Sequence, residues 1–111
     1  MALKLPKELE VLDGPQPIRQ TEGLVFSVDV AKQTSSTPSS ATVTIIRQAD
    51  EADVTATLMA VNTPSIATTV ITLDEILIPA DAILGDYVVN VEFEAGGYSP
   101  GRVYFIIRVY E

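Results

Sequence analysis

Two stretches near the end of the chain constrain its fold more than any other feature. Tyr87, Val89, Val91 and Phe93 alternate with Val88, Asn90, Glu92 and Glu94, and Val103, Phe105, Ile107 and Val109 repeat that rhythm after a glycine-containing linker, 96–101. Side chains of a β-strand point to opposite faces at successive positions, so a period of two with one apolar set marks a strand with a buried face. The linker Gly96-Gly97-Tyr98-Ser99-Pro100-Gly101 supplies the positive-φ residues of a hairpin loop. A hairpin centred on Tyr98 predicts Phe93 opposite Val103, Val91 opposite Phe105, Val89 opposite Ile107 and Tyr87 opposite Val109, with Glu94 opposite Arg102.

The same rhythm extends upstream. Leu24, Phe26, Val28 and Val30 form one apolar face, and Ala41, Val43 and Ile45 another, with the polar segment 32–40 expected as a flexible connection. Val54 to Val61 and Ile66 to Leu73 read as two further strands around an Asn62–Ser65 turn. The stretch from Leu73 to Leu84 contains Pro79 and Asp81 and predicts a brief 3₁₀ or helical turn at a corner. Residues 1–16, broken by Pro6 and Pro15, are expected as an N-terminal arm leading to a short strand around Pro17 to Thr21, with residues 17–111 as the domain. No segment of ten or more residues has helical periodicity. The expected fold is therefore all-β: an antiparallel sandwich of about seven strands.

Within it, Gly85-x-Tyr87 matches the spacing of a tyrosine corner, and residues 17–110 resemble an immunoglobulin-like domain. Val89 stands where antibody domains carry cysteine, and Ile83 where an acidic residue usually precedes the tyrosine by four. Small stand-alone domains of this kind are similar to the immunoglobulin-like accessory modules of tailed-bacteriophage capsids and tails, and to modules of bacterial surface proteins. The resemblance implies a binding or stabilising role in an assembly.

Composition narrows the chemistry. A chain of 111 residues has room for one core, and it contains no Cys and no His, which removes disulfides, thiol chemistry and the commonest neutral-pH base and metal ligand. Neither G-x-S-x-G nor S-x-x-K occurs, so no enzyme is expected and no cofactor. A net charge of −8 repels a phosphate backbone, which argues against nucleic acid. No apolar run approaches the roughly 20 residues of a membrane-spanning helix, and the lysines near the N-terminus are not followed by the apolar stretch of a secretory signal. Asp50, Glu51 and Asp53 crowd one turn, and Asp81 and Asp86 flank another. Without EF-hand spacing, solvated acidic turns are favoured over a calcium site.

What remains is an excess of apolar groups where the last hairpin should face water: Val88, Tyr104, Ile106 and Tyr110. With Leu3, Leu5 and Leu9 of the arm they are the candidate partner-binding residues. The partners expected are proteins: capsid or other virion subunits, or further copies of this chain. By the resemblance to phage modules, the expected role is that of a structural protein of the virion, on the capsid or tail exterior, synthesised in the host cytoplasm. The alternative is a recognition module that binds carbohydrate or a host or bacterial surface through its loops, with Tyr98 placed for sugar stacking.

Overall fold

The computed structural model describes residues 6–9, 15–32, 34–95 and 98–111, without the side chains of 6–9 and 98–100. Two sheets enclose one core. The first contains β1 (Pro6–Leu9), β3 (Gly23–Asp29), β7 (Val70–Thr72) and β6 (Ser65–Ala67) in that order, with β8 (Ile76–Leu77) also paired to β3. The second runs β2 (Gln16–Arg19), β10 (Tyr98–Tyr110), β9 (Gly85–Ala95), β4 (Ser40–Arg47) and β5 (Ala52–Asp53). The strands β3-β7-β6 and β10-β9-β4 form the bodies of the two sheets of an all-β sandwich, and β5 and β2 widen the second sheet. Most pairings are antiparallel, but β1 joins β3 and β2 joins β10 in parallel.

The alternating residues of β9 and β10 point inward as expected: Tyr87, Val89, Val91, Phe93, Val103, Phe105, Ile107 and Val109 are all buried. Phe26 reaches across from the first sheet to Phe105, with ring centroids 5.2 Å apart and planes tilted by 45°. Such a tilted aromatic pair joins the sheets near their middle.

The hairpin register differs from expectation by two residues. Val103 lies opposite Val91, Phe105 opposite Val89 and Ile107 opposite Tyr87, so Arg102 faces Glu92 instead of Glu94. Irregular pairing between Tyr98 and Gly101 absorbs the shift, and Gly101 takes the place opposite Phe93. The physical reason is size: a Cβ at position 101 would overlap the Phe93 ring, which lies over the glycine. A shift of two keeps every side chain on its face, so the apolar set stays inside.

Three other expectations are corrected. Val54 to Val61 is no strand: β5 ends at Asp53 and one helical turn, α1 (Thr55–Leu58), follows. Asp53 Oδ1 accepts hydrogen bonds from Thr55 N and Oγ1 at 3.0 and 2.7 Å, while Thr55 Oγ1 accepts one from Ile45 N at 2.8 Å. A side chain thus takes the ladder position that a longer β5 would occupy. Ile66 to Leu73 divides into the hairpin β6–β7, turned at Thr68 with φ 54°. The stretch from Leu73 to Leu84 forms β8 and a turn closed by Ala82 N to Pro79 O at 3.2 Å, without helix. The polar connection between β3 and β4 is a mostly exposed loop, as expected, with Thr34 N donating to Val30 O at 3.1 Å and Ser39 N to Glu94 O at 2.7 Å.

The region read as an arm contributes β1 to the first sheet, and the strand expected around Pro17 to Thr21 is β2, at Gln16–Arg19. It ends in a turn where Thr21, at φ 70°, donates its N–H to Ile78 O at 2.7 Å.

Candidate association face

Inward residues of the second sheet fix what its outer face presents. On β10 the outward positions are Arg102, Tyr104, Ile106, Arg108 and Tyr110, and on β9 they are Asp86, Val88, Asn90, Glu92 and Glu94. Pairing aligns Ile106 with Val88, and β4 adds Ile46 opposite Val88. Three branched aliphatic side chains therefore form a row across three adjacent strands, each half-buried by its neighbours. Tyr104, 49% exposed, stands on β10 beside this row, with Asn90 and Thr44 in line with it across β9 and β4.

Charged pairs border the row on both sides. Arg108 Nε and Nη2 donate to the two carboxylate oxygens of Asp86 at 2.7 and 3.1 Å, a bidentate contact that holds the Asp86 carboxyl below its ordinary pKa. On the other side Arg102 Nη2 donates to Glu92 Oε1 at 3.1 Å. At the end of β10 the Arg19 guanidinium lies 5.4 Å from the centre of the Tyr110 ring, within cation–π distance.

Of the residues singled out in the sequence, Val88, Tyr104, Ile106 and Tyr110 share this face, with Tyr110 at its end beside Arg19. Leu3 lies outside the described residues, as does Leu5. Leu9 is the last residue of β1, on the other sheet, and its side chain is not described. Ile46 lies one residue beyond the alternation of Ala41, Val43 and Ile45. The doubled isoleucine, one facing in and one out, was the available signal. Tyr98 belongs to β10 instead of a loop tip, and its side chain lies outside the described residues.

The first sheet's outer face is arranged differently. Ser27 and Thr72 stand opposite one another with their hydroxyls 3.1 Å apart, Ser65 follows on β6, and Asp29 Oδ1 accepts from Thr69 Oγ1 at 2.8 Å. Val70 of β7 and the exposed Leu77 of β8 stand on the same side, so hydroxyls and separate aliphatic groups are mixed there, whereas the second sheet aligns its aliphatic groups in one row.

The acidic turns are occupied by internal contacts. Asp50 accepts from Arg47 Nε and Nη2 at 2.9 and 2.7 Å, and this guanidinium lowers its pKa to about 2. Hydrogen bonds from Thr55 hold Asp53 below the usual carboxylate range. Among the described residues no three acidic side chains converge as a cation site would need. A shallow cleft of about 250 Å³ opens near the tyrosine corner, between Arg47, Leu58, Pro79, Ile83 and Tyr87. It is smaller than the ~300–1,000 Å³ of sites that enclose a small molecule. The chain matches no protein-family model and no curated protein sequence.

Proposed function

We propose that this chain is a non-catalytic structural protein of a virion, a subunit that decorates or stabilises a bacteriophage capsid by binding protein through the outer face of its second sheet. The observation that carries the reading is the row Ile106–Val88–Ile46 with Tyr104 beside it. Branched aliphatic groups and an exposed tyrosine ringed by charged pairs have the composition of a protein interface, an apolar centre with a polar rim. The absence of His and Cys and the internal commitments of Asp50, Asp53 and Asp86 support a role without chemistry. A net charge of −8 fits a protein partner better than nucleic acid.

The test is composition of purified particles. Mass spectrometry of virions from the host that makes this chain should find it at a fixed copy number. Particles grown with the double variant Tyr104→Asp and Ile106→Asp should lack it, although the variant is folded and present in the lysate. Particles without the native chain would refute the proposal.

A further inference from the structure

Charge is distributed across the association face in a way that selects a partner. Three of the chain's four arginines, Arg19, Arg102 and Arg108, stand on β2 and β10, while Asp86, Glu92 and Glu94 stand on β9. Three cations thus balance three carboxylates on β2, β10 and β9, the exposed Asp53 of the edge strand β5 beside Ile46 is a further acid of this face, and most of the net charge of −8 belongs to the rest of the molecule. The face is divided, with the positive column on one side and the negative column on the adjacent strand.

Such a face is complementary to itself. Consider a second copy placed face to face by a two-fold axis parallel to the strands and lying between β9 and β10. The rotation exchanges the two columns and preserves position along the strand. Arg102 then meets Glu92 of the second copy and Arg108 meets its Asp86, so each internal ion pair becomes half of an alternating four-charge cluster. Ile106 meets Val88 of the second copy and Val88 its Ile106, while Ile46, one strand further out, comes over the edge at the start of the second copy's β2. A crossing of about 30°, usual for aligned sheets, inclines the axis by about half that angle to the strands and displaces residues far from the crossing point most, where the contacts belong to long arginine side chains. A two-fold interface requires this property, that one patch contain both halves of each contact.

We infer that the outer face of the second sheet is a homodimer interface, its occupant a second copy of this chain related by a two-fold axis along the β9–β10 pair. The inference rests on reading this face as a binding surface and names its partner. Four strands about 4.8 Å apart, each contributing about 27 Å of length, offer about 500 Å² per copy. Stable complexes bury about 800 Å² per partner, so the dimer is concentration-dependent.

Sedimentation equilibrium from about 1 μM to about 1 mM reads this directly. The native chain should move from its 11.9 kDa monomer mass toward twice that value. One variant, Arg102→Glu with Arg108→Glu, makes both columns acidic, and another, Asp86→Arg with Glu92→Arg, makes both basic. Each alone should remain monomeric, and an equimolar mixture should dimerise more tightly than the native chain. Circular dichroism checks that each variant is folded, and the mixture supplies an internal control, since an unfolded chain would not regain association.

A native chain that stays monomeric throughout, or variants that each dimerise alone, would overturn the inference. The outcomes separate it from the virion reading. A monomer that still requires Tyr104 for attachment to particles refutes the dimer alone, whereas a charge-dependent dimer of a chain missing from virions upholds the dimer and removes the virion role.

Discussion

Tyr87 joins sequence and fold at a single residue. Its ring is buried, and its hydroxyl donates to the Ile83 carbonyl at 2.6 Å, fastening the corner before β9. Gly85 permits the turn between them with φ 127°, a conformation that side chains resist. Because the acceptor is backbone, the side chain at position 83 can vary, which accounts for Ile83 in place of an acidic residue. Tyr87→Phe should therefore cost about 0.5–1.5 kcal/mol, the net worth of a part-buried hydrogen bond. Ile83→Ala, at a side chain 49% exposed, should cost much less. Urea unfolding of both variants checks the difference, and equal losses would show that packing, not the hydrogen bond, holds the corner.

At the scale of elements, the inward faces of β9 and β10 were legible because burial repeats with the strand's own period. Their register was not, since a displacement of two residues preserves every facing and leaves the alternation unchanged. It is decided by a contact absent from the pattern, the Phe93 ring over Gly101. Gly101→Ala should lose about 1–3 kcal/mol through overpacking, and Phe93→Leu in the same chain should recover part of it. Chemical denaturation of the single and double variants measures the coupling, and additive losses would contradict the assigned contact. The segment after Asp53 was illegible for another reason. Its threonines suit a strand by propensity, but Thr55 spends its hydroxyl on Ile45 N and Asp53, which ends the ladder and begins α1.

For the whole molecule, two sheets of similar construction have unlike outer faces. Four of the candidate residues, Val88, Tyr104, Ile106 and Tyr110, could be placed on one surface from alternation alone. The continuous row could not, because Ile46 reaches it only through the pairing of β4 with β9, a contact between residues distant in sequence. The division of charge between β10 and β9 likewise emerges only when strands are set side by side. The proposed association runs through the second sheet and not the first. Backbone amide NMR spectra recorded across a concentration series test that claim most directly. Shifts confined to residues 86–92 and 102–110 and to Ile46 are the expected result, while unchanged spectra, or shifts centred on β3, β6 and β7, would contradict it.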